Sequence, residues 1–362
     1  MLLLAACTNS ARSTEPSSGD GASSTAPPKA SRSSSLSTRT SSPTKAELHV
    51  MGRQTFVVKA QVVGHVSLFG HWVAYTSSGT SYSSTNTVSV IDRRNGTVRT
   101  VATSAWAHGQ TDWVEGTGDW VFWTDQSFAA SDTTLPAWTI KGKNLLTGRV
   151  VELDHSDRWA SPTPIPRAGN GYLTWFRGGN KAQTFETLWT YKPRTAVKRR
   201  LGTGHYSTVT PAKSFVAFDA WLPSSDQTKV MVTDLATGKT RAIGAATDAG
   251  NARAADGSNL LAWLEPATGD STSVDWQNGV TGRPTSFSES GAYDAVPGDH
   301  FIAIFDNDGS LSVVNADNAE DKLTISRTLL YVPCRIAASG NAVAWCDQQS
   351  MGRVNIRIAE VE

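Results

Sequence analysis

One short apolar pattern returns seven times beyond residue 50, and it constrains the fold more than any other feature of the chain. It reads Trp72-Val73-Ala74-Tyr75, Trp120-Val121-Phe122-Trp123, Tyr172-Leu173-Thr174-Trp175 and Phe215-Val216-Ala217-Phe218. It continues as Leu260-Leu261-Ala262-Trp263, Phe301-Ile302-Ala303-Ile304 and Ala342-Val343-Ala344-Trp345. The last residues of successive copies are 48, 52, 43, 45, 41 and 41 positions apart. A period of about 40–50 residues in a β-rich sequence is the mark of propeller blades.

A second pattern follows several copies. A strand ends on a polar residue, a glycine turn follows, and another strand begins. Val88-Ser89-Val90-Ile91-Asp92 leads to Asn95-Gly96, and Val230-Met231-Val232-Thr233-Asp234 leads to Thr237-Gly238. Thr147-Gly148 and Thr281-Gly282 hold equivalent places. Each glycine supplies the positive φ that a tight hairpin needs. Every unit therefore reads as four antiparallel strands: inner, aromatic, third and outer. The expected fold is all-β, a seven-bladed β-propeller of four-stranded blades.

The near-continuous apolar character of the aromatic strand fits burial on both faces between neighbouring blades. Trp123, Trp175, Trp263 and Trp345 are accordingly read as packing residues. After Trp345 only one further strand remains, Val354-Asn355-Ile356-Arg357-Ile358, so the last blade lacks its outer strand. The segment 54–60, Gln54 to Ala60, has no blade of its own. Pairing it with the last blade closes the ring and removes two open edges.

Cys334 and Cys346 flank the stretch Ala337-Ala338-Ser339-Gly340-Asn341, read as a turn, and are placed opposite each other on consecutive strands. Such neighbours are close enough for a disulfide in an oxidising compartment. Two buried free thiols are the alternative.

Thr237-Gly238 after Asp234, and Ala255-Asp256-Gly257 before Leu260, resemble the turn elements of the TolB-like bacterial propellers, a group of exported proteins. Other blades depart from that group's Pro-Asp-Gly turn, as at Pro211-Ala212-Lys213. The resemblance implies the fold and leaves function open. The Asp-x-x-Thr-Gly element is also similar to a turn of quinone-dependent propeller enzymes. The closing Trp of that motif is absent, so no cofactor is expected.

Three segments are expected. Residues 1–7 end in Leu4-Ala5-Ala6-Cys7, which resembles a bacterial lipobox, with Cys7 as the lipidated residue. The basic leader is missing and the apolar run is short, so the native start is expected upstream of Met1. A frayed apolar start with a chance cysteine is the alternative. Residues 8–46 are dominated by Ser, Thr, Pro and other small residues and are expected to be a disordered tether with a reach of roughly 35 Å. Residues 47–362 form the propeller. The expected place is the outer face of the bacterial cell membrane, with the membrane engaged through lipid on Cys7.

The net charge of +1 gives no global field that would draw nucleic acid. No stretch has the apolar length of a transmembrane helix. Neither a nucleophile elbow nor a His-Glu-x-x-His zinc motif occurs. No metal site is expected. Asp306-Asn307-Asp308-Gly309-Ser310 resembles the start of a calcium loop but lacks the distal Glu, and it sits where a blade needs a hairpin.

The inner-strand segments carry polar groups that face a central channel in such a fold. Candidate ligand contacts are His108, Asp112, Trp113 and Glu115 before the second aromatic strand. His205 and Thr208 precede the fourth, Asp248 and Arg253 the fifth, and Tyr293 and Asp294 the sixth. The plain alternative is that channel residues are polar because the channel holds water. Trp106, Trp113, Trp159 and Trp221 lie outside the repeated position and are either sugar-stacking platforms or packing beneath loops. The expected function is a monomeric, non-catalytic binding or scaffold module for a protein or glycan partner. The second reading is a carbohydrate-active enzyme, hydrolase or lyase, in which Asp112, Glu115 and Asp294 supply a carboxylate pair.

Overall fold

A computed structural model describes residues 47–78, 85–106, 109–127, 136–156, 163–178, 186–204, 206–222, 227–245, 252–266, 272–279, 283–289, 291–327, 334–350 and 352–362. Every regular element in them is a β-strand, and they make seven antiparallel sheets of four strands. Strand β1 (Val50–Val58) precedes the first blade, which is β2 (Val62–Phe69), β3 (Trp72–Ser78), β4 (Thr87–Asp92) and β5 (Thr97–Thr103). The second is β6 (Gln110–Thr117), β7 (Trp120–Gln126), β8 (Trp138–Asn144) and β9 (Val150–Ser156). The third is β10 (Arg167–Gly169), β11 (Tyr172–Arg177), β12 (Glu186–Lys192) and β13 (Val197–Gly204). The fourth is β14 (Tyr206–Pro211), β15 (Phe215–Leu222), β16 (Gln227–Asp234) and β17 (Thr240–Ala245). The fifth is β18 (Arg253–Ala254), β19 (Leu260–Pro266), β20 (Thr272–Asn278) and β21 (Thr285–Glu289). The sixth is β22 (Ala292–Pro297), β23 (Phe301–Asp306), β24 (Leu311–Asn315) and β25 (Asn318–Ser326). The seventh is β26 (Ala337–Ser339), β27 (Ala342–Ser350) and β28 (Arg353–Val361), completed by β1.

Ring closure uses the N-terminal strand, as the sequence implied. β1 runs antiparallel to β28, with Gln54 opposite Ile358 and Val58 opposite Val354. The closing strand is Val50–Val58 rather than 54–60, because the ladder continues to Val361 and needs partners there. The start of the propeller and its last residue lie side by side: His49 N donates to Glu362 O at 2.9 Å, and Glu362 N to His49 O at 3.1 Å.

The core lies between blades. Seven apolar clusters form among the described residues, one at each blade interface. The aromatic strands supply them from both faces. Trp123 packs with Phe69 and Val90 of the preceding blade, and Trp175 with Phe122 and Ile140. Trp263 packs with Phe215 and Val230, and Trp345 with Phe301 and Val313. All four are at most 3% exposed. Removing an aromatic side chain of this size from water is worth roughly 5 kcal/mol.

The turns follow their residues. Gly96, Gly148 and Gly238 adopt φ of 72°, 74° and 68° between third and outer strands. Asp234 Oδ1 accepts from Thr237 N at 2.7 Å and Thr237 Oγ1 at 2.9 Å, which is why an Asp stands before that turn. Asp306 to Ser310 joins β23 to β24 as a hairpin turn, with Gly309 at φ 83°. Thr281-Gly282 lies outside the described residues, as do residues 1–46.

A disulfide joins Cys334 to Cys346, with Cα atoms 5.8 Å apart. The register differs from a directly opposed pair. Ala337 faces Ala344 and Ser339 faces Ala342, so the turn is Gly340-Asn341 alone and Cys334 lies before β26 begins. The bridge therefore staples the entry segment of the blade to β27.

Candidate functional site

The first strand of each blade is the innermost, and each inner strand contacts those of both neighbours, so the seven enclose a channel. Antiparallel pairing puts all seven inner-strand starts at one end. That end also receives the connections between aromatic and third strands and those between blades.

A bulge recurs in the early part of these strands. The register shifts between Val63 and His65, between Thr111 and Val114, between Tyr206 and Val209, and between Ala292 and Asp294. Bulges re-aim side chains, and they concentrate beside functional sites. Here they mark a common position, seven residues before the aromatic strand. It is occupied by His65, Trp113, Thr208, Arg253, Asp294 and Arg335. The third blade departs: its charged residue, Arg167, comes five residues before Tyr172.

All of these except Thr208 and Asp294 line two spaces that share His65, and Asp294 stands 3.7 Å from Arg253. The wider, about 260 Å3, is lined by Gly64, His65, Thr76, Thr85, Asp112, Trp113 and Arg335. The narrower, about 50 Å3, includes His65, Ser67, Glu115, Arg167, Arg253 and Asp256 in its walls and runs deeper along the channel. Glu115 is the anchor of its blade interface. It accepts from Arg167 Nη1 at 2.6 Å, from Ser67 Oγ at 3.3 Å and from His65 Nε2 at 3.4 Å. Burial, followed by the positive charges of Arg167, Arg335 and Arg253, holds the His65 pKa well below its usual value. The imidazole is therefore neutral, and its contact with Glu115 is a hydrogen bond rather than an ion pair.

Trp113 is the aromatic wall. The guanidiniums of Arg167 and Arg335 each lie 4.9 Å from its ring centre, and His65 meets it edge-on at 4.9 Å. Burial lowers the Arg167 pKa to about 9, with Arg253 and Arg335 adding repulsion that Glu115 partly offsets. Arg335 is shifted down for the same reasons, burial first and then Arg253. Arg253 approaches Asp294 at 3.7 Å, too long for a hydrogen bond, and its buried Nη2 has no partner among the described residues. Asp112 takes hydrogen bonds from Gln126 Nε2 at 2.6 Å and Gln110 Nε2 at 3.3 Å, and burial raises its pKa.

The far end of the channel is bridged. Asn170, at φ 55°, turns its amide across the fourth blade. Its Nδ2 donates to Pro211 O and Ala255 O, both at 3.2 Å, and its Oδ1 accepts from Gly257 N at 2.8 Å. Asp256 closes the set by accepting from Asn170 N.

Of the residues singled out in the sequence, the structure brings Asp112, Trp113, Glu115, Arg253 and Asp294 to this end of the channel. Thr208 donates to Asp219 Oδ2 inside the fourth blade. Tyr293 is half-exposed and meets Phe305 edge-on. Trp106 is exposed and lines neither space. His108, His205, Asp248 and Trp159 lie outside the described residues, as does the side chain of Trp221. Sequence reasoning missed His65, Arg167 and Arg335. The seven-residue offset from the aromatic strand would have found the first and last.

No family model matches the sequence, and no curated protein matches it. Solved structures do match, through their folds. Oligogalacturonate lyase from Vibrio parahaemolyticus is 10% identical, with 87% of this chain and 98% of that chain covered and a TM-score of 0.57. The β-propeller domain of the Trilobed protease from Pyrococcus furiosus is 11% identical, with 71% and 84% covered and a TM-score of 0.51. TolB from Acinetobacter baumannii is 11% identical at a TM-score of 0.45; the alignment takes in 76% of this chain and spans 61% of TolB's length. At these identities the likeness is one of fold, and the fold is the seven-bladed β-propeller.

Proposed function

We propose that this chain is an exported binding or scaffold module, held to the outer face of the bacterial cell membrane through lipid on Cys7. Its non-catalytic propeller takes a protein or glycan partner at the channel end where the inner strands begin. One observation carries the pocket assignment. His65, Trp113, Arg167, Arg253 and Arg335 come from five different blades and line the spaces there, and Asp294 of a sixth blade approaches Arg253. Packing alone does not call for three arginines around one buried space, since each charge is costly to desolvate. Export is supported by the Cys334–Cys346 disulfide, which belongs in an oxidising compartment.

The test is capture from cell-envelope extracts and on a glycan array, with wild-type propeller beside Arg335→Gln. A partner retained equally by both proteins would remove the pocket from the account. Lipidation is tested separately. With a complete leader, wild type is expected in the membrane fraction with a mass increment on Cys7, and Cys7→Ser in the soluble fraction.

A carbohydrate-active enzyme is the second reading. Neutral His65 and Asp112, a carboxyl with a raised pKa, line the same wide space and have the character of a base and an acid. Turnover of an array hit, abolished in Asp112→Asn, would favour it.

A further inference from the structure

We propose that the channel mouth is a carboxylate receptor, seating an acidic side chain of a partner polypeptide on the unused donors of Arg253 and Arg335. This rests on the reading that the mouth is the binding pocket, and it names the chemistry the pocket selects.

The argument begins with donors. Each guanidinium carries five N–H groups and no acceptor. Of the three arginines here, Arg167 is hydrogen-bonded to a carboxylate, Glu115. Arg253 is 8% exposed, lines the narrow space, and its Nη2 makes no hydrogen bond among the described residues, its one anionic neighbour being Asp294 Oδ2 at 3.7 Å. A buried charged donor without a hydrogen bond is costly, and a ligand oxygen would relieve that cost. The Arg335 guanidinium lies 4.9 Å from the Trp113 ring centre, and a cation–π contact of this kind leaves N–H groups free to donate. The nearby carboxylates do not fill these places. Glu115 already accepts three hydrogen bonds, Asp112 is held by two glutamines, and Asp294, whose Oδ1 takes Ala295 N at 3.0 Å, brings Oδ2 only to 3.7 Å from Arg253 Nη2, beyond hydrogen-bonding distance. Burial, and after it mutual repulsion, lowers Arg335 and Arg167, and Glu115 and Asp294 offset only part of this, so a further anion would be welcome among the three arginines.

Shape decides the kind of ligand. Arg335 and Trp113 line the wide space of about 260 Å3, whereas Arg253 lines the narrow one of about 50 Å3. An anion that reaches both must sit at the end of a slender stem. A carboxylate on one or two methylenes fits, and its planar oxygens suit guanidinium donors. A space of about 50 Å3 has room for a few water-sized groups rather than a sugar ring. The indole that would stack on it already carries two guanidiniums and an imidazole edge.

The experiment is calorimetric titration of the propeller with hexaglutamate, hexaglutamine and a hexauronate. Hexaglutamate is expected to bind and hexaglutamine not to. Arg335→Gln and Arg253→Gln are each expected to weaken hexaglutamate binding tenfold or more, while exposed Arg241→Gln leaves it unchanged. Arg335 is partly exposed and free of hydrogen bonds to described residues, so its variant is expected to fold. Arg253→Lys keeps the charge without the fork and is expected to bind in between, at an unchanged unfolding midpoint. Equal binding of hexaglutamine, or insensitivity to both Gln variants, would overturn the proposal. Binding of hexauronate alone would overturn the polypeptide assignment and give the site to an acidic glycan. If no acidic probe binds, yet a captured partner is lost on Arg335→Gln, the pocket stands and the carboxylate inference falls.

Discussion

Asp219 is fully buried on β15, with one oxygen taking Thr208 Oγ1 and Ala252 N and the other unpartnered among the described residues. Burial pushes its pKa up to about 6, against 3.8 for an ordinary Asp. The folded state therefore holds the proton more tightly than the unfolded one. The associated stability is complete below about pH 4 and is lost as pH rises through 6, a change of order 3 kcal/mol. The urea midpoint of the wild type is expected to fall between pH 4 and pH 7. Asp219→Asn should flatten that slope, and an unchanged slope would show that the carboxyl does not titrate as described. Asp306, also raised to about 6 by burial, adds slope of the same sign, and His65, whose pKa burial lowers, adds slope of the opposite sign. Residues of this kind were hard to read from the chain. Asp219 stands inside an aromatic strand and looks like any polar interruption. His65 and Arg335 were passed over because isolated charged residues usually sit in solvent, and only their shared offset from the aromatic strands sets them apart.

Elements were far more legible. The aromatic strands announce themselves because burial on both faces leaves no room for polar alternation. The inner strands do not: β10, β18 and β26 are three, two and three residues long, too short for any period to show. This is also why Cys334 and Cys346 are not directly opposed, since β26 begins only at Ala337, after Cys334. The bridge closes a loop with a sequence separation of 12, and both cysteines lie in the apolar cluster between the last and first blades. Replacing both with Ala is expected to cost about 3 kcal/mol, read from denaturant unfolding without reductant. β1 matters more. It covers the edge of β28 and carries Val58, with Phe56 packed alongside, into the same cluster. Deleting residues 50–58 is expected to give aggregated or unfolded protein. A stable monomeric product in sedimentation would show that closure is dispensable.

At the scale of the whole molecule, every apolar cluster is shared by two blades, so no blade has a core it can keep alone. Unfolding is therefore expected as one transition, with far-ultraviolet dichroism and tryptophan fluorescence superimposing against denaturant. Separate midpoints would reveal blades that melt independently. The direction of the closing strand has a further consequence. As an outermost strand, β1 starts at the Asn170 end of the channel and runs toward the arginine end, and Glu362 finishes beside His49. His49 and Glu362 thus both lie on the side of the propeller opposite the pocket. A propeller held rigidly at His49 or Glu362 would present the arginines outward, like a dish with its stem beneath. A sensor chip or fluorescent label attached through either end would leave the rim clear.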